Sequence, residues 1–473
     1  MILIIARKEI TEMLRDGRVK WSGAILLALL AMAFLAGWSR HQELSRQHRM
    51  AQEATRQHWL TQGKKNPHSA AHYGIYAFKP KLPMAVLDTG TEPYTGVAVW
   101  LEAHKQNEFK YRPAQDATML ARFGELTAAT VLQLLVPLLI VIMTFSAFAG
   151  EKEQGTLRQL LSVGVPPRQL ALGKALGLVA GMGVYLVPAA LLGAGTLVLV
   201  SGGGDSAASV PRALWLALAY VLYFIAFAGI GLAISAWVKS PRVALICLLG
   251  FWIFNCLVAP RAAVDLSKRL NPTPTAFGFA KVMAEDLAGG ADGHSSAGDR
   301  AAQLRANTLR KYGVSRIEDL PVSFAGISLQ AGEEHGNEVF DKRYGELWAA
   351  FERQNQVRSW SAFAAPLLAI RPVSMGMSGT DSAQHRHFAK AAEEYRRVLN
   401  RKMNDELRDH GFGKDFGHLV GDDFWKEIPA FEYSAPDVSW VLANQALPLG
   451  ILGLWALAGM AACFLATTRL RVD

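Results

Sequence analysis

At 473 residues, 51% of them hydrophobic and 19% charged, the chain is too apolar for an ordinary water-soluble enzyme and too charged for a bare bundle of membrane helices. A net charge of +9 would suit nucleic acid, but Lys and Arg gather at the ends of apolar segments, where membrane topology puts them, and no nucleic-acid partner is expected. The three cysteines, Cys247, Cys256 and Cys463, lie inside apolar segments, so the aqueous parts hold no disulfide and no thiolate metal site.

In residues 1–20, Ile2, Ile5, Ile10, Met13 and Leu14 alternate with charge at helical spacing, which predicts an amphipathic entry helix lying on a membrane surface. The first span is 21–38, with Trp21 and Trp38 at interfacial positions. Ala31-Met32-Ala33 has the form of a signal-cleavage site, but the long amphipathic stretch before it does not suit a signal peptide, and the span is expected to stay uncleaved. Residues 39–123 form a first insertion: a polar helix continuing the span, then a Pro-, Gly- and Tyr-rich stretch over 66–113 that reads as irregular or short-stranded.

The second and third spans, 124–148 and 175–200, enclose a charged, partly helical loop at 149–174. A Gly/Ser-rich link at 201–212 leads to the fourth span, 213–238, and a tight basic link to the fifth, 243–259. The fifth is at the short end of the roughly 20 residues that cross a bilayer core, and a buried hairpin is the alternative. Residues 260–437 make a second, mainly helical insertion, large enough to bury its own core. Within it, AAPLLAIRPVSMGMSGT is expected to be a core-facing loop, the alternative being contact with the membrane surface or a substrate. The sixth span, 438–467, and a tail at 468–473 complete an all-α polytopic membrane protein of six transmembrane helices and two extracytoplasmic insertions.

Charge in the short loops sets the orientation. Arg7, Lys8, Arg15, Arg18 and Lys20 precede the first span; Lys152, Arg158, Arg168 and Lys174 lie between the second and third. Lys239 and Arg242 link the fourth and fifth, Arg469 and Arg471 lie in the tail, and 201–210 has no base. These basic pieces share one side only if the chain crosses six times with both termini cytoplasmic and both insertions outside.

Spans two to six contain no Asp, Glu, Lys or Arg between their ends, which argues against a carrier driven by its own ion gradient. Their polar exceptions are Gln133, Asn255, Asn444 and Gln445, read as interhelical hydrogen-bonding groups or, alternatively, as the lining of a translocation path. A Walker pattern on Gly173-Lys174 would need glycine where Arg168 stands and Ser or Thr where Ala175 stands, so ATP and Mg are expected on a separate chain, with no cofactor and no catalytic motif on this one. All twelve histidines lie in the insertions; His385 and His387, two apart on a predicted helix, face different directions, no HExxH occurs, and no metal site is expected.

With these features the chain resembles the permease subunits of type-2 ABC (ABC-2) exporters. ARKEITEMLRDGR resembles the entry helix of that family. EKEQGTLRQLLSVGVPPRQLALGK resembles its cytoplasmic coupling-helix loop, at Glu151, Glu153, Gly155, Thr156, Leu157, Leu160, Leu161, Ser162, Pro167, Arg168 and Lys174. SGTDSAQHRHFAKAAEEYRRVLNRKMN resembles a segment of a bacterial subfamily with large outside insertions and no settled function. The resemblance implies a multi-pass protein of the bacterial inner membrane, with periplasmic loops, two ABC ATPase subunits and a second permease copy or paralogue as partners. It implies either ATP-driven export, or mechanotransmission of the ATPase stroke to an envelope partner without cargo. Glu151 and Glu153 would suit a helix start, where the macrodipole favours negative charge, and Leu157, Leu160 and Leu161 would form a stripe for a groove on the ATPase. The alternative is a loop that lies on the inner leaflet.

Overall fold

The computed structural model describes residues 1–116, 126–201, 206–289 and 297–470. In chain order its main elements begin with α1 (Ile2–Arg15), α2 (Gly17–Leu60), α3 (Pro67–Tyr73), β1 (Ile75–Phe78), β2 (Ala98–Glu102) and β3 (Lys105–Lys110). Then come α4 (Ala128–Glu153), α5 (Thr156–Ser162), α6 (Pro167–Ser201), α7 (Ser206–Trp237) and α8 (Pro241–Leu270). The last are α9 (Ala276–Gly289), α10 (Ala297–Tyr312), α11 (Phe324–Ser361), α12 (Pro366–Ser378), α13 (Ser382–His410), α14 (Val438–Asn444) and α15 (Ala446–Thr468). Six of them, α2, α4, α6, α7, α8 and α15, are long and apolar enough to cross a membrane. In hydrocarbon a backbone must satisfy its own hydrogen bonds, and a helix does this within one segment. The chain is an all-α polytopic membrane protein with one small three-stranded antiparallel sheet, ordered β1-β2-β3.

α2 starts at Asp16, whose carboxylate accepts from the Arg18 amide, and continues far past Trp38 through a polar stretch braced by the Arg46–Glu43 pair. Two spans differ from expectation. α8 neither stops at 259 nor turns back as a hairpin: it passes through a π-helical turn at Phe254–Val258 and runs on to Leu270. The wider turn makes room for Pro260, whose ring would crowd the carbonyl four residues before it in a regular helix. The segment starting at 438 is broken at Gln445 into α14 and α15, which separates a short amphipathic lead from the apolar helix.

Small residues set the closest helix contacts, since lipid chains compete equally for any bulky side chain. α7 and α15 touch backbone to backbone: a Cβ on Gly229 would lie 2.3 Å from the carbonyl carbon of Gly459. α1 does not simply lie on a surface. It docks along a glycine ridge on α6, where a Cβ at Gly173 would meet Ile5 at 2.6 Å, one at Gly177 would meet Glu9 at 2.6 Å, and one at Gly181 would meet the Met13 sulfur at 2.8 Å.

The two segments expected as insertions pack into one body. Lys65 and Val420 form a β-bridge across them, Trp59 donates from Nε1 to the Trp425 carbonyl (3.2 Å), and α13 packs against α11, α3 and β2. Arg396, wholly buried on α13, is paired with Glu333 at 3.0 Å and Glu393 at 2.8 Å. Burial alone would raise the Glu333 carboxyl, but its hydrogen bond from His104 and the Arg396 charge outweigh this and hold it down to about 2. The run AAPLLAIRPVSMGMSGT is core-facing as expected, but it is a helix, α12, and not a loop. Leu367, Ile370, Val373 and Met377 are fully buried, and α12 wedges between α7 and α15.

The ridge gives a direct test. Gly177→Leu should lower thermal stability by about 1–3 kcal/mol through overpacking against α1. Gly183→Leu, where a Cβ would meet nothing within 4 Å, should leave the melting temperature in detergent nearly unchanged.

Candidate functional site

Among the described residues, two regions at the spans combine buried charge with accessible surface. The first surrounds the loop between α4 and α6. Gly155, at φ +77°, sits in the left-handed region, which costs an L side chain roughly 1–2 kcal/mol, and turns the chain from the last turn of α4 into α5. Behind that turn, Lys174 of α6 is almost fully buried; its ammonium donates to Glu9 Oε1 at 2.6 Å and Glu151 Oε1 at 2.9 Å, and lies over the Phe148 ring at 5.3 Å. Lys8 donates to the same Glu151 oxygen at 2.8 Å, and also pairs with Glu12 at 3.4 Å. Burial would lower the Lys8 ammonium, but the hydrogen bond and charge of Glu151, with Glu9 and Glu12, raise it above the ordinary lysine range. One ionic cluster thus joins the entry helix, the end of α4 and the start of α6.

The loop has a sharply divided surface. Leu157 is buried, and Leu160 and Leu161, half-buried, pack on the bundle core, so the leucine stripe is turned in good part toward the chain's own core. Glu151 is also turned in, whereas Glu153, Arg158, Gln159, Ser162, Val163 and Arg168 are exposed, Val163 at 79%. Thr156 caps the turn by donating to the Glu151 carbonyl at 3.3 Å. Beside this surface lies a cavity of about 970 Å³, lined by Lys152, Glu153, Arg158, Trp237, Lys239 and Arg469 among others.

The second region is where α12 meets the spans. Gln133 and Asn255 each lie in a π-helical turn, Val131–Leu135 of α4 and Phe254–Val258 of α8. Such turns leave carbonyls without intrahelical donors, and here Tyr223 OH donates to the Gln133 carbonyl at 2.8 Å and Trp252 Nε1 to the Leu134 carbonyl at 2.9 Å. The Gln133 amide donates to Tyr220 OH (3.1 Å), which contacts Ser374 Oγ (3.1 Å), which donates to Asp88 (2.5 Å). Asn255 Oδ1 accepts from the Leu367 amide at 3.0 Å, capping the start of α12. Gln445, at the break between α14 and α15, donates to Asp381 at 3.0 Å. Asn444 instead donates to the carbonyl of Trp440 within its own helix. Burial raises the carboxyls of both Asp88 and Asp381 above the usual range. Gln133, Asn444 and Gln445, with both aspartates, Glu352, Arg358 and Arg371, line a polar cavity of about 600 Å³; Asn255 stands apart from it.

The sequence profile of the ABC-2 family of transporter proteins matches residues 3–304, well over half the chain. The chain belongs to the ABC-2 transporter family. It is a membrane permease subunit of an ABC transporter. A profile described as a domain of unknown function (DUF3526) matches residues 280–434, within the second insertion. A search of curated proteins finds no match.

Within this ABC-2 subunit, the residues predicted as a site divide by role. Gln133, Asn255 and Gln445 act first as supports for α12, through partners that apolar sequence patterns do not reveal. Sequence reasoning placed Lys174 in the coupling loop without seeing that it is buried and paired, and it missed Glu9, Asp88, Asp381 and Tyr220. A lysine one turn or two inside an otherwise apolar helix was the available signal for that burial. Replacing Lys174 with Met should cost about 3 kcal/mol, because the buried carboxylates of Glu9 and Glu151 would keep only the half-exposed Lys8 as a counter-charge. The triple variant Glu9→Gln, Glu151→Gln, Lys174→Met should recover most of the lost melting temperature.

Proposed function

We propose that the chain is the membrane subunit of a bacterial ATP-driven export complex, lying in the inner membrane with its termini cytoplasmic and its insertions periplasmic. Two copies, or this chain and a paralogue, would sit on two ABC ATPase subunits that hold ATP and Mg. The loop at 149–174 would be the coupling element. The observation that carries the reading is the cluster of Lys174, Glu9, Glu151 and Lys8, which ties that loop to both the entry helix and α6. A push on the exposed face of α5 would then move three elements as one body. The ATPase would receive the polar outer face, Glu153, Arg158 and Arg168 around Val163, and Trp237 beside the adjoining cavity, 81% exposed, would supply an aromatic anchor.

A second reading is favoured by the hydrogen-bond chain from Gln133 through Tyr220 and Ser374 to Asp88, because it fastens α12 and the outer body to the spans. In that reading the stroke acts on an envelope partner and no cargo crosses. A continuous cavity between the two sets of spans in some nucleotide state of the assembled complex supports export; closure in every state supports mechanotransmission.

The coupling assignment has its own test. With the ATPase co-expressed, Arg158→Glu combined with Val163→Asp should reduce permease-stimulated ATP hydrolysis by at least about tenfold, as expected for loss of roughly 1.4 kcal/mol or more of docking energy. Melting temperature should hold, since both side chains are exposed. Unchanged stimulation would contradict the docking face.

A further inference from the structure

Far from the loop, in the outer body, three imidazoles converge. α3 starts at Asn66, whose side chain accepts from the amides of His68 and Ser69, with Pro67 in the first helical position. This short helix holds His68 and His72 one turn apart, on the same face. The third ring comes from the hairpin between β2 and β3. The Ala103 amide donates to the Ala71 carbonyl at 3.0 Å, which clamps the hairpin tip to α3 and brings His104 over it. His104 adopts φ +63°, an uncommon backbone for a residue with a side chain, and this conformation aims its ring at the other two.

The nitrogens fit an ion. His68 Nε2 and His72 Nε2 are 3.1 Å apart, and one ring nitrogen from each of the three histidines lies within 4.8 Å of the others. Two Zn–N bonds of about 2.0–2.1 Å at the tetrahedral angle would place their nitrogens about 3.3 Å apart, so small ring movements would complete the geometry. Glu333 of α11 accepts from both the His104 amide (2.6 Å) and His104 Nδ1 (2.8 Å). A carboxylate on the far nitrogen is the arrangement that fixes the tautomer and ring orientation of a metal-bound histidine, leaving Nε2 toward the ion. Glu333 is itself held by Arg396 and by Asn400 at 3.1 Å, so the orienting group is rigid. His72 is exposed, which leaves an open side for water or an exchangeable ligand.

We propose that His68, His72 and His104 form a binding site for a divalent late transition-metal ion of the zinc or copper type, oriented by Glu333. Three neutral imidazoles without thiolate suit these borderline ions and not Mg²⁺ or Ca²⁺, which take oxygen ligands. Because the histidines come from the first insertion and Glu333 from the second, the ion would also pin the two segments together.

The test uses full-length protein in detergent, titrated with Co²⁺ and followed by its visible d–d absorption, then with Zn²⁺ in competition. One equivalent should bind in a low-symmetry, near-tetrahedral environment, and Zn²⁺ should displace it. His72→Ala should weaken Co²⁺ binding about 100-fold or more while keeping the metal-free melting temperature, since the ring is exposed. His385→Ala, at a histidine whose ring packs on Phe109 and Trp348, should leave binding unchanged. The proposal is overturned if the wild-type protein takes up no stoichiometric Co²⁺, if His72→Ala binds as tightly as wild type, or if His385→Ala weakens binding equally.

Discussion

A lysine ammonium buried beside a phenyl ring, as Lys174 is beside Phe148, is tolerable only if negative charge lies close by. Here Glu9 arrives from α1 and Glu151 from the end of α4, and neither could reach the ammonium unless its own helix were seated correctly. The glycine ridge on α6 permits this by letting α1 approach closely, and the turn at Gly155 permits it by directing α5 away after Glu151 has turned in. Breaking the pairing would strand buried charge, so it specifies which helices meet as much as it stabilises them.

At the other end of the bundle, neutral polar groups do comparable work. The π-turn of α4 releases carbonyls that Tyr223 and Trp252 take up, while the side chain of Gln133 reaches α12 through Tyr220 and that of Asn255, in the π-turn of α8, caps its start. Because α12 lies in the second insertion yet packs between α7 and α15, span positions and insertion positions are linked by hydrogen bonds and close packing. Helix contacts run from α6, which carries Lys174, through α7 and α4 to the cavity around Asp88 and Asp381.

Much of this architecture was legible in the sequence, because uninterrupted apolar length leaves helices as the only workable answer. Periodicity also marked α11 and α13, whose charges repeat at helical spacing. It could not say which face of the 149–174 loop looks inward. Leu157, Leu160 and Leu161 read equally well as a stripe for a partner or for the chain's own core, and only the tertiary contacts decide for the core. Likewise, α12 holds Pro372 and Gly376, which favour a loop locally, yet burial of Leu367, Ile370 and Val373 among the spans overrides that preference. The i, i+4 spacing of His68 and His72 went unread, since only His385 and His387 were weighed, and the third member of the cluster depends on the fold of the β2–β3 hairpin.

In a working complex the loop, α1 and the start of α6 should move as one body. Spin labels at Val163→Cys and Ile4→Cys, both exposed positions, with Cys247, Cys256 and Cys463 replaced, would report the distance between the loop tip and the entry helix by pulsed electron resonance. In complex with the ATPase, the distance distribution should be the same with and without ATP. A nucleotide-dependent shift in that distance would show the loop moving independently of α1, and would contradict motion as one body.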